Sequence, residues 1–171
     1  VVVIAVMTAF SVIGRLIFSP IPGFKPVTAI TIIAGIALGA ESGFMVGSLT
    51  AIVSNIFFGQ GPWTPFQMFV WGVLGFLSGL IFYKKQTSNR FILAAIGLVG
   101  GIAYSMLMDI WTTVSMEGTF NILRYLFYIS SSFSFMAIYA VSNVVFLFVL
   151  AKPFLEKLNR IKTKYGIFQT K

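Results

Sequence analysis

Residues 91–111 read FILAAIGLVGGIAYSMLMDIW, a run in which Asp109 is the only charged side chain. A bilayer's hydrocarbon core is about 30 Å thick and takes roughly 20 apolar residues as a helix, so this stretch is long enough to cross it unaided. Polar and apolar residues do not alternate here as they must along a barrel strand. Only helices and closed barrels satisfy their own backbone hydrogen bonds in lipid. The run therefore predicts a transmembrane helix, and with it an all-α membrane fold.

Working outward, the same measure gives five further spans: 1 to about 18, 27–39, 42–58, 66–83, and a last one that starts near Leu126 or Ser130 and ends around Ala151-Lys152-Pro153. The link Ala40-Glu41 is tight, and the second span is short for a full crossing, so it is expected to tilt or re-enter. Ser19-Pro20-Ile21-Pro22-Gly23-Phe24-Lys25-Pro26 cannot continue a helix, because prolines remove donors and clash with the preceding turn. Gly59-Gln60-Gly61-Pro62-Trp63-Thr64-Pro65 is a second break, and the polar stretch 112–124 a third. The reading is a single transmembrane domain over 1–171: a compact six-helix bundle to about 151, then a basic, helical tail over 152–171.

Composition agrees. Charged residues are 9% of the chain and hydrophobic ones 58%, where soluble domains carry about a quarter charged. The net charge of +8 sits in connections and tail rather than along an amphipathic face, so it reads as membrane topology and not as a nucleic-acid surface. Lys84, Lys85 and Arg90 fall on the same side as the tail's Lys152, Lys157, Arg160, Lys162, Lys164 and Lys171, and by the positive-inside rule that side is cytoplasmic. Six spans then put both termini inside and the three breaks outside. VVVIAVMTAF opens without an initiator methionine, and no basic leader precedes the first span, so a cleaved signal peptide is not expected.

Glycines recur at four-residue spacing: Gly35/Gly39, Gly43/Gly47, Gly75/Gly79 and Gly97/Gly101. That spacing lets helix backbones approach closely in lipid. With neither Cys nor His in the chain, thiol nucleophiles, disulfides, the usual zinc ligands and the commonest general base are all missing. A single Asp excludes an aspartyl pair, and no phosphate-cradling loop followed by Lys is present. An intramembrane enzyme is therefore disfavoured. A proton-coupled transporter titrating Asp109 or Glu41 and a purely structural membrane protein stay open.

Ala5-Val6-Met7-Thr8-Ala9 in the first helix, together with residues 20–30 (PIPGFKPVTAI) and 54–68 (SNIFFGQGPWTPFQM), resembles the substrate-specific (S) subunits of energy-coupling factor (ECF) vitamin transporters. The resemblance implies a subunit of the bacterial cell membrane that captures a vitamin at the outer face and delivers it by toppling. Its partners would be a transmembrane coupling (T) subunit and two ABC-type ATPases, with no intrinsic cofactor. By the same resemblance Ala5 and Ala9 form the surface that meets the coupling subunit; the alternative is that both pack inside the bundle. The GQGPWTP branch resembles cobalamin-uptake proteins, which makes cobalamin or a corrinoid precursor the leading substrate. Subunits for riboflavin, folate, thiamine, biotin and pantothenate share the fold, and fold does not fix ligand.

A ligand site needs apolar walls and a few convergent polar groups. Asn55, Gln60, Trp63, Thr64, Gln67 and Trp71 gather around the second break, and Gln67 and Trp71, four apart, share a helix face. An interfacial aromatic belt is the plainer explanation for each tryptophan alone. Asp109 is an intramembrane carboxylate and so a functional candidate, as an ion pair with Arg15, Lys25 or Arg124 or as a ligand contact; interfacial solvation near the helix end is the plainer alternative. Arg15 and Lys25 together suit an anionic ligand group, or else snorkel to the interface. Asn143, Tyr104 and Tyr139 are weaker candidates for the cavity wall. The Pro-rich first loop reads as a lid.

Overall fold

The computed structural model describes residues 1–85, 87 and 89–166. The described residues form six helices: α1 (Val2–Ile17), α2 (Val27–Leu38), α3 (Ala40–Phe58), α4 (Trp63–Phe82), α5 (Arg90–Glu117) and α6 (Ile122–Tyr165). Four, α3 to α6, are long and apolar enough to cross a membrane.

α2 is the shortest helix and the centre of the bundle. All twelve of its residues are buried, and it touches each of the other five helices. A helix of twelve residues is only about 18 Å long. Its sequence VTAITIIAGIAL is apolar on every side, as a helix enclosed by others must be. The short second span is thus explained by enclosure: its ends need not reach either membrane surface.

Glycines let the neighbours close on it. A Cβ added at Gly35 of α2 or at Gly43 of α3 would run into the carbonyl of Gly75 on α4, so α2, α3 and α4 meet backbone to backbone there. Gly97 and Gly101 of α5 do the same against α6, where an added Cβ would lie 2.6 Å from the Asn143 carbonyl oxygen and 2.7 Å from Ala140 Cα respectively. Gly39 departs from the expected pattern. It is the corner between α2 and α3, with φ +99° and open space around its missing side chain, a backbone conformation that glycine adopts without steric cost.

Several boundaries differ from the sequence reading: α3 takes in the expected link Ala40-Glu41, and α6 starts at Ile122, ahead of Leu126. α4 begins at Trp63, three residues early, because Pro65 falls in its first turn, where a missing N–H costs nothing. α5 runs to Glu117 through the polar stretch, since Thr112 and Thr113 donate to the Met108 and Asp109 carbonyls of their own helix; the third break shrinks to 118–121. α6 passes through Pro153 without ending. Its 44 residues span roughly 66 Å, twice the hydrocarbon thickness. The segment after Pro153 turns its apolar face onto the bundle, where Leu155 and Leu158 join Ile4, Ala37 and Leu38 in the core. Lys162 Nζ donates to the Ala37 carbonyl at 2.9 Å and to the Tyr83 hydroxyl at 3.3 Å. It thereby satisfies one of the carbonyls that the end of α2 leaves unpaired. The tail is thus helical as far as Tyr165 and continuous with the last span. Lys171 lies outside the described residues.

Candidate binding site

At the end of the bundle away from that tail, the last turn of α1, the end of α3 and the start of α4 bring polar side chains into the interior. Arg15 extends from α1, and its Nη1 donates to Ser54 Oγ and, at 2.8 Å, to Asn55 Oδ1. The Asn55 amide nitrogen donates to Thr64 Oγ1 at 3.0 Å and to Gln67 Oε1 at 2.9 Å. The Gln67 amide nitrogen in turn donates to the Tyr104 hydroxyl oxygen at 3.0 Å. The result is one directed chain from a guanidinium through two amides to a phenol, spanning α1, α3, α4 and α5. All its members are buried, and paired amides and hydroxyls avoid the cost that unpaired ones would incur there.

Aromatic rings line this chain. The Trp71 indole, fully buried, stacks on Tyr104 with centroids 5.2 Å apart, and Tyr104 meets Tyr139 of α6 edge-on at 5.1 Å. Trp71 Nε1 donates to Thr28 Oγ1 of α2 at 3.2 Å. The guanidinium carbon of Arg15 sits 4.6 Å from the Phe58 ring centre and 5.2 Å from that of Trp71. Lys25 comes from the first loop: Nζ lies 5.1 Å from the Tyr139 centroid and 6.0 Å from that of Trp71. Its backbone is fastened to α6, the N–H donating to Ser142 Oγ at 2.9 Å and the carbonyl accepting from the same hydroxyl at 3.1 Å. Burial, and then the nearby Arg15 charge, lowers the Lys25 ammonium to about 7.

Six of the nine expected ligand residues therefore converge: Arg15, Lys25, Asn55, Thr64, Gln67 and Trp71. Three do not. Gln60 is exposed and donates back to the Ile52 carbonyl at 2.8 Å, closing its own loop. Trp63 is 42% exposed, with its ring across the space beside Gly61, as an interfacial tryptophan would be. Asp109 is buried, but none of its expected cations reaches it. It accepts from Ser132 Oγ at 2.6 Å, while Arg124 pairs with Glu117 at 3.5 Å. The Asp109 ion pair is thus corrected to a carboxylate–hydroxyl contact between α5 and α6. Tyr104 and Tyr139 belong to the wall. Asn143 is buried away from it and donates to the Tyr139 carbonyl of its own helix at 2.7 Å.

Sequence reasoning missed Ser54, Phe58 and Thr28. Ser54 directly precedes Asn55, and Thr28 is the second residue of α2, but hydroxyls in membrane helices commonly bond back to their own backbone and carry little signal. Ala5 and Ala9 are both exposed, on the outer face of α1 between Val6, Phe10 and Ile13; the alternative of packing inside the bundle is excluded.

A family model described as "ECF-type riboflavin transporter, S component" matches residues 1–160. The chain belongs to this family. As an ECF S component it is a non-catalytic membrane subunit that works with a T subunit and two ATPases. The match supports the ECF assignment and gives no support to the cobalamin-like branch. Comparison with curated proteins and with solved structures gave no match.

Proposed function

We propose that this S component captures riboflavin, or a flavin close to it, at the aromatic, amide-lined end of the bundle, and hands it to the ECF module. The observation that carries the reading is the Trp71–Tyr104 stack joined to the Asn55–Gln67 amide pair. A planar heteroaromatic ring has two faces for stacking and an edge of donors and acceptors. Stacked aromatics and carboxamides, which offer both donor and acceptor groups, complement those features. The description of the matching family points to the same vitamin, and riboflavin therefore replaces cobalamin as the leading substrate.

In this reading the site faces outward and both termini are cytoplasmic, as the positions of Lys84, Lys85, Arg90 and the basic tail support. The exposed alanine strip of α1, Ala5 and Ala9, is the coupling surface, where small side chains allow close helix approach. The first loop, fastened over the site through Lys25 and Ser142, is the lid.

Calorimetric titration of the purified protein against riboflavin, cobalamin, cobinamide, folate and thiamine tests the assignment. Saturable binding of riboflavin in preference to the others is expected. Binding of a corrinoid instead would refute the substrate. ATP-independent uphill uptake by the chain alone in liposomes would refute the mode of transport and favour a proton-coupled carrier.

A further inference from the structure

The site holds two basic side chains and, among the described residues, no acidic one. Arg15 has only neutral hydrogen-bond partners, Ser54 and Asn55, and the Lys25 ammonium meets the ring faces of Tyr139 and Trp71. The chain contains four carboxylate side chains, and each is engaged or located elsewhere. Glu41 opens α3 at the opposite end of the bundle, Asp109 is bonded to Ser132, Glu117 is paired with Arg124, and Glu156 lies in the α6 extension.

Uncompensated cations inside a membrane protein are costly and mark function. Snorkelling does not account for them. The Arg15 side chain is 9% exposed and its guanidinium is tied inward to α3. Both cationic groups lie over the same Trp71 ring, so they repel each other across it. Burial first, and the Arg15 charge second, lower the Lys25 ammonium. Ring faces attract cations, but they return less than a paired oxyanion would, since charge-assisted bonds to carboxylate or phosphate are the stronger kind.

We infer that the ligand of this site brings its own negative charge, an oxyanion that docks between Arg15 and Lys25 while its ring system occupies the Trp71–Tyr104–Tyr139 wall. This deepens the flavin reading and rests on it: riboflavin is neutral, so the preferred flavin is one with an anionic tail, such as the 5′-phosphate ester. The same oxyanion chemistry is offered by carboxylate vitamins, which the test separates.

The test titrates the full-length purified protein with riboflavin and with riboflavin 5′-phosphate, at low and at high salt, and repeats this for Arg15→Gln, Arg15→Lys and Lys25→Gln. The readout is the ratio of the two affinities, which is insensitive to a general loss of binding. The expected ratio is about tenfold or more in favour of the phosphate ester, falling with salt. It should collapse towards one in Arg15→Gln and Lys25→Gln and persist in Arg15→Lys, which also controls for folding. Equal affinities in the unaltered protein, or a ratio indifferent to the neutral variants, would overturn the inference and leave the flavin reading intact. If neither flavin binds, the flavin reading fails, and folate, biotin and pantothenate are set against neutral and cationic vitamins. Binding of a carboxylate vitamin that needs Arg15 would then sustain the inference, and binding only of a neutral or cationic one, or none across the panel, would overturn it.

Discussion

Trp71 and Tyr104 lie face to face, 10° from parallel, although they come from different helices. The stack is held at both edges, with Trp71 Nε1 on Thr28 and the Tyr104 hydroxyl on Gln67. Removing one group should separate the two contributions. Tyr104→Phe keeps the ring and orphans the Gln67 amide, costing about 1–3 kcal/mol of stability. Tyr104→Leu also removes the stack and should weaken ligand binding about two- to tenfold more than Tyr104→Phe, in line with ~0.5–1.5 kcal/mol for an aromatic pair. Thermal unfolding in detergent and ligand titration of both variants check this.

The first loop, proposed as the lid, rests on α6 through Lys25 and Ser142. A Cβ at Gly23 would sit 3.5 Å from Ile138 Cβ, close to the ~3.5–4.5 Å of a disulfide. Gly23→Cys with Ile138→Cys should therefore crosslink on oxidation, even though φ of +78° costs a residue with a side chain about 1–2 kcal/mol. Ligand exchange should slow at least several-fold when the pair is oxidised and recover on reduction. Unchanged exchange in the crosslinked protein would remove the lid.

Close backbone contact between α3 and α4 leaves no room at Gly43. Gly43→Ala should destabilise the bundle by about 1–3 kcal/mol through overpacking, seen as a lower unfolding temperature. Ala95→Leu is the volume control, since Ala95 is exposed.

The coupling role proposed for the alanine strip of α1 predicts that capture and delivery can be separated there. Ala5→Leu with Ala9→Leu should leave folding and ligand affinity within about twofold, since both positions are exposed and surface changes are usually small in effect. Co-purification with the coupling module should be lost. A double variant that still assembles would place the interface elsewhere.

Much of the fold could be read from apolar run length, because the bilayer imposes a length on whatever crosses it. The central position of α2 could not: VTAITIIAGIAL is too short for a span, and only the surrounding helices explain it. Pro153 misled because a proline's local penalty is a property of an isolated helix. Here Leu155 and Leu158 pack on Ile4 and Leu38, and Lys162 binds the end of α2. In the site, Asn55, Gln67 and Trp71 were legible because amides and indoles are unusual in lipid. The role of Asp109 was not, since a lone carboxylate suggests a cation, and the hydroxyl it actually meets, Ser132, is one of many serines on α6. Gln60 and Trp63 were drawn in by sequence proximity to Thr64: the turn at Gly61 and Pro62 separates Gln60 from it, and Trp63, one position earlier on α4, is exposed where Thr64 is buried.

The most direct test of capture at Trp71 uses the protein's three tryptophans. With Trp63→Phe and Trp111→Phe, the buried Trp71 becomes the sole indole, and riboflavin or its phosphate ester is titrated while that emission is followed. Saturable quenching, abolished when Trp71 is replaced and Trp63 and Trp111 are restored, is the predicted result. Binding detected by calorimetry that leaves the Trp71 emission untouched would contradict the site.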